Sequence, residues 1–175
     1  MKKLLLAMTI VAACFFLSCS SGGGGMSKKA KKNIDAIHAI TKMFETKDFS
    51  KFGDYVAADG IDHAGPQGDI KGVDAVKAQL EKWAATMKDN HTEFKQELAN
   101  DDWAMSRSIQ TSTATVDDPS MGIKAGQTTT MDMIEVCAFN KDGKITEHWS
   151  FMNVSDMMKM MPQPTTMPAD TTKHN

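Results

Sequence analysis

In the stretch KITEHWSFMN, Glu147, His148 and Trp149 stand in a row, and Asn153 follows four residues after the tryptophan. On an extended strand successive side chains alternate, so Glu147, Trp149, Phe151 and Asn153 share one side while His148, Ser150 and Met152 share the other. A tryptophan that lines a cavity then brings Phe151 and Asn153 with it as ligand contacts, and Met133 and Tyr55 complete the expected lining. Asn153 can orient a carbonyl or hydroxyl, or serve as a structural amide satisfied by neighbouring backbone, but it has no proton to exchange near neutral pH. His148 is expected on the opposite side, as a structural histidine on the outer face or under a neighbouring helix. His63, next to Asp62, is the candidate base or oxyanion donor, and a plain surface histidine is its rival reading. Asp132 and Glu135 fall on opposite sides of the preceding strand, so one of them can supply a carboxylate to the cavity. Parity does not choose between them.

Other chemistries leave no recognisable trace. No two histidines have metal-ligand spacing, no glycine-rich phosphate loop follows a strand, and Cys137 has no nearby histidine or basic residue to activate it. Neither metal nor cofactor is therefore expected. Met131, Met133, Trp83, Trp103 and the methionines from Met157 to Met161 make a soft apolar lining, with SDMMKMM as a helical lid.

The chain opens with two lysines, an apolar run from Leu4 to Leu17 and small residues around Cys19, which is the pattern of a secretory signal. The run is shorter than the roughly 20 residues a membrane-spanning helix needs. FLSC resembles a bacterial lipobox, with phenylalanine where leucine is usual, which implies cleavage before Cys19 and its acylation. An outer-membrane lipoprotein facing the periplasm is the expected location. SSGGGG then forms a flexible tether followed by the basic stretch MSKKAKK, and the proline- and threonine-rich end reads as a disordered tail. The expected organisation is 1–18 signal, 19–29 tether, 30–161 domain and 162–175 tail. With Cys19 lipidated and Cys14 removed, Cys137 is left as a free thiol without a disulfide partner. A formal charge of −2 gives no reason to expect nucleic acid.

Helices come first in the domain. Ile34, Ile37, Ile40 and Phe44 recur at helical spacing, a short helical segment spans about Phe52–Ala58, and Val73, Val76, Leu80, Trp83 and Met87 form one stripe from about Gly72 to Lys88. Strands follow in TEFKQELA, WAMSRSIQTSTATV, TTTMDMIEVCAF and KITEHWSFMNV, the last two joined by the strong Asp142-Gly143 hairpin signal. Helices segregated before long antiparallel strands predict an α+β domain with its sheet wrapped around the helices.

YVAADGIDHAGPQGDIKGVDAV, NDDWAMSRSIQT and DGKITEHWSFMN together resemble the SnoaL-like polyketide cyclase branch of the nuclear transport factor 2-like superfamily, over about Ile34–Met161. The resemblance implies a cone-shaped α+β barrel, a curved mixed sheet with about three helices closing a deep apolar pocket. It also implies ring-closing cyclase, isomerase or hydrolase activity in some members. Where the cyclases carry an acid–base aspartate four residues after the tryptophan, this chain has Asn153. The leading reading is thus a tethered module that binds a small apolar or amphipathic molecule. A cyclase-like or isomerase-like enzyme using His63 with Asp132 or Glu135 is the second, and a homodimer formed through the outer sheet face is the third.

Overall fold

A computed structural model describes residues 25–119 and 121–160. The expected signal segment, Cys19 and the tail from 162 lie outside them. Four helices and six strands follow in the order α1 (Lys28–Thr46), α2 (Phe52–Tyr55), β1 (Val56–Asp62), β2 (Ile70–Lys71), α3 (Val73–Ala85), β3 (Met87–Ala99), β4 (Trp103–Ala114), β5 (Thr128–Phe139), β6 (Ile145–Met152) and α4 (Val154–Met160). The strands form one mixed sheet in the order β2-β1-β6-β5-β4-β3, antiparallel except for the parallel pair β1–β6. No helix among the described residues is long and apolar enough to cross a membrane.

Helix α1 starts where Ser27 accepts a hydrogen bond from the Ala30 amide at 2.9 Å, so the helix already includes lysines read as tether. It stops at Lys47, whose φ of 59° is left-handed. Its apolar stripe buries Ile34, Ile37 and Met43, and the buried Asn33 donates to the carbonyls of Asn100 and Asp101 at 3.0 and 3.2 Å. This side chain pins the helix to the β3–β4 turn.

Two expected boundaries move. The short helix ends at Tyr55, because Val56 already pairs with Ile145 in the parallel ladder. Helix α3 ends at Ala85, and Met87, counted above as the last residue of its stripe, instead opens β3 opposite Ala114. A four-residue step fits either a helix or the far side of a turn, and sheet pairing decided it. The β5–β6 hairpin forms as expected, with Gly143 at φ 78° and Asn140 Oδ1 accepting from the amides of Asp142 and Lys144 at 3.0 Å each.

The core lies between the helices and one face of the sheet. Ile34, Ile37, Phe49, Phe52, Val76 and Ala84 pack with Val56, Ala104, Cys137, Phe139 and Ile145, and a smaller cluster joins Met87, Ala114, Ile123, Met131 and Met133. These contacts define the helix face of the sheet, and the registers propagate it from strand to strand. The opposite side is called the outer face.

Candidate functional site

Paired residues on neighbouring strands point to the same face, so the registers lay out the helix face row by row. One row crosses all six strands as Ala99, Ala104, Cys137, His148, Asp62 and Ile70. The next carries Glu97, Ser106, Glu135 and Ser150, and the one beyond it Phe94, Ser108, Met133 and Met152.

His148 is the centre of these rows. Its Nδ1 lies 3.0 Å from Asp62 Oδ1 and its Nε2 2.6 Å from Glu135 Oε2. Burial disfavours a charge on this ring, but the bonds to Asp62 and Glu135 outweigh it and raise its pKa to about 10. The ring is therefore an imidazolium at neutral pH, donating from both nitrogens. Burial alone would raise Asp62, yet the same bond to His148, with the Ala64 amide, holds its pKa below the usual carboxylate value. Glu135 accepts further bonds on Oε1 from Ser150 Oγ at 3.1 Å and Gln110 Nε2 at 3.4 Å. Cys137, in the same enclosure, is buried and its thiol is pushed up by burial and by the nearby carboxylates Glu135 and Asp62, which leaves it an inert thiol.

The outer face collects the aromatic candidates. Trp149 stacks on His63, with ring centroids 4.6 Å apart, and on Trp103 at 5.5 Å. His63 meets Asp69 through Nδ1 at 3.0 Å and Glu147 through Nε2 at 3.1 Å. Those two bonds, Asp69 first, raise its pKa. Asp132 also belongs to this side, paired by two bonds to Arg107, which lowers its pKa.

The strand parity expected for residues 147–152 is present, but its sign is reversed: Trp149 and Phe151 point away from the helices, and His148 points toward them. His63 is joined to neither Asp132 nor Glu135: Glu135 is on the helix face, and on the outer face Asp132 is paired with Arg107 while His63 is paired with Asp69 and Glu147. Phe151 is 54% exposed. Asn153 lies beyond the last pleat of β6, so the alternation does not reach it. Its Oδ1 accepts from the amide and hydroxyl of Ser155 at 2.9 Å each and caps α4. Met133 is buried on the helix face, and Tyr55 packs at the edge of the core.

Among the described residues no group of three or more His, Cys, Asp or Glu side chains is placed to hold a metal ion. A recess of about 130 Å³ near Thr86, Met87, Ala114 and Pro119 is below the usual ligand-pocket size. It also sits about eight residues of β4 from the Glu135 row, roughly 27 Å along the strand.

What sequence reasoning missed is the pairing of His148 with Glu135 and Asp62. The signal was in β4, whose helix face reads Ala104, Ser106, Ser108, Gln110, Ser112, Ala114, with only small or polar residues under the helices.

Residues 34–163 match the model of the SnoaL-like polyketide cyclases. The chain belongs to this family. No protein of curated function matches it. Solved structures agree on the fold. A SnoaL-like polyketide cyclase from Agrobacterium tumefaciens is 16% identical with a TM-score of 0.60, covering 73% of this chain and 95% of that one. TsrD from Streptomyces laurentii is 14% identical with a TM-score of 0.64, over 78% and 97%. An LEH-like epoxide hydrolase from M. tuberculosis is 14% identical with a TM-score of 0.60, over 76% and 91%. At these identities the likeness establishes the nuclear transport factor 2-like α+β fold and leaves the chemistry to the site.

Proposed function

We propose that this family member binds a small amphipathic molecule in a recess between its helices and the helix face of the sheet. The polar wall is Glu135, His148, Ser150 and Gln110, and the apolar wall is Met131, Met133 and Met152. One observation carries the reading. Strand β4 turns its small and polar side toward the helices, where a packed core would place large apolar groups. The flanking side chains stay within reach of solvent, 29% for His148 and 19% for Glu135, although they lie on the face the helices cover.

In this reading the sheet curls into a cone around the ligand and α4, with exposed Met157 and Met158, covers the mouth. Lipidation of Cys19, suggested by the FLSC lipobox-like stretch, holds the domain at the periplasmic side of the outer membrane. The outer aromatic face is left for contact with a second copy.

A second reading is favoured by the Glu135–His148 pair at 2.6 Å. A proton made acidic by a neighbouring carbonyl passes to Glu135, and the His148 imidazolium stabilises the negative charge left behind. Asn153 takes no part in either reading.

The test uses N-phenyl-1-naphthylamine, an apolar fluorophore. Its emission should rise with the native chain, fail to rise with Ser150→Phe, which fills the recess, and persist with Trp149→Ala. Emission that depends on Trp149 and ignores Ser150 would move the ligand to the outer face and end this reading.

A further inference from the structure

Ser106 is 0% exposed, and its Oγ has no hydrogen-bond partner among the described residues. Buried hydroxyls are nearly always paired, so this atom calls for an explanation. Its position in the sheet supplies one. Ser106 stands between Glu97 on β3 and Glu135 on β5 in a single row of the helix face.

Each carboxylate meets an imidazole. His38 Nε2 from α1 is 2.5 Å from Glu97 Oε1, and His148 Nε2 is 2.6 Å from Glu135 Oε2. Gln110 and Ser150 also direct their donors to Glu135. The row therefore keeps one unspent donor, the Ser106 hydroxyl, against a larger number of unspent acceptor lone pairs on that oxygen and on the two carboxylates. Charge points the same way. Glu97, Glu135 and Asp62 outnumber the imidazoles of His38 and His148, and among the described residues no lysine or arginine occupies a paired position on this face; Lys71, Lys88 and Arg107 all pair on the outer side. Solvent reaches the groups around the serine, with 40% of the His38 side chain and 24% of Glu97 exposed.

We infer that the recess takes an amine with an apolar body, its ammonium group seated over Ser106 between Glu97 and Glu135. This inference rests on the recess proposed above. The ammonium brings three donors and a positive charge to a row in which acceptors and carboxylates are in excess. Phe94, stacked on His38 with ring centroids 4.0 Å apart, and Met133 and Met152 in the adjoining row receive the apolar body. An anionic ligand of the same shape meets like charge and surplus acceptors.

Three probes with one ring system separate these effects: 1-naphthylmethylamine, 1-naphthylmethanol and 1-naphthoate, titrated calorimetrically into the full-length chain. The amine should bind about tenfold more tightly than the alcohol, the difference expected for charge-assisted hydrogen bonds, and the carboxylate should be weakest. Ser106→Ala and Glu97→Gln should each remove most of the amine's advantage and leave the alcohol within about twofold, whereas Arg107→Gln on the outer face should change neither. Equal affinities, or a preference for the carboxylate, would overturn the amine site while leaving the recess standing. No binding of any of the three, or amine binding that survives Ser150→Phe, would overturn both readings.

Discussion

Strand β4 shows one side to the helices and the other to the outer surface, and the two differ in an unusual sense. Toward the helices go Ala104, Ser106, Ser108, Gln110, Ser112 and Ala114, and away from them go Trp103, Met105, Arg107, Ile109, Thr111 and Thr113. Large side chains are left at the surface, with Trp103 45% and the neighbouring Leu98 65% exposed, while small polar ones are buried. A sheet built only for stability would have the reverse pattern, since apolar burial is the main favourable term in folding. The helix face of β4 is small and polar, and the packing that stabilises the domain is concentrated in α1–α3 and at the two ends of the strands.

The largest test of that contrast sets Phe52 against Trp149. Phe52→Ala should cost about 3–5 kcal/mol in denaturant unfolding, because the ring is fully enclosed in the helical core. Trp149→Ala, half-buried in an aromatic stack, should cost only about 1–2 kcal/mol. Equal losses would mean that the outer face is as closed as the core.

Next in size is the pH dependence of stability. His148 has a folded pKa of about 10 against an ordinary value of 6.5, so its stabilisation is complete below about 6.5 and is lost as pH rises toward 10. Asp62 is lowered by the same contact, so its contribution holds above 3.8 and is lost as pH falls below that value. Stability should therefore plateau between roughly 4 and 6.5. Glu135→Gln, which removes one of the two charges facing His148, should leave the start of the decline near 6.5 but end it below about 10, with a smaller total loss. A decline of the same size that still runs to about 10 would show that His148 draws its charge from elsewhere.

Ser106→Ala sharpens the comparison in the opposite direction. Removing an unpartnered buried hydroxyl should stabilise the ligand-free chain by about 1 kcal/mol while weakening the binding of amines. A loss of stability would mean that the hydroxyl already has a partner. The smallest effect belongs to Leu98→Lys, expected within about 0.5 kcal/mol for a side chain this exposed. A larger loss, with melting that depends on protein concentration, would show that a second copy covers the outer face.

Much of the framework was legible from local rules. The β5–β6 hairpin follows from Asp142-Gly143, the bounds of β5 from its β-branched run, and helices α1 and α3 from periodicity, whereas β1 and β2, which come before α3, break the expected order of helices before strands. Alternation also grouped Trp149 with Phe151 and set His148 against them. It could not tell which group faces the helices, because a period of two has no sign and the choice depends on where α1 and α3 dock. Burying the tryptophan was the natural choice on hydrophobicity, and it fails here because the covered face is polar by composition. Asn153 takes its structural alternative for a local reason: an asparagine two residues before a serine, at a strand end, caps the helix that follows.

The parallel pairing of β1 with β6 bears on how the molecule is made. Asp62 and His148 are 86 residues apart in the chain, yet they are hydrogen-bonded across that pair. Nothing in the first half of the domain can complete the charged cluster, because its central ring arrives with the last strand of the sheet. Folding of such a topology must close a long loop before its contacts repay the lost chain entropy, which places it among the slower folders. A chain stopped before Ile145 would lack both β6 and the partner of Asp62, so binding competence and completion of the sheet should appear in a single kinetic step.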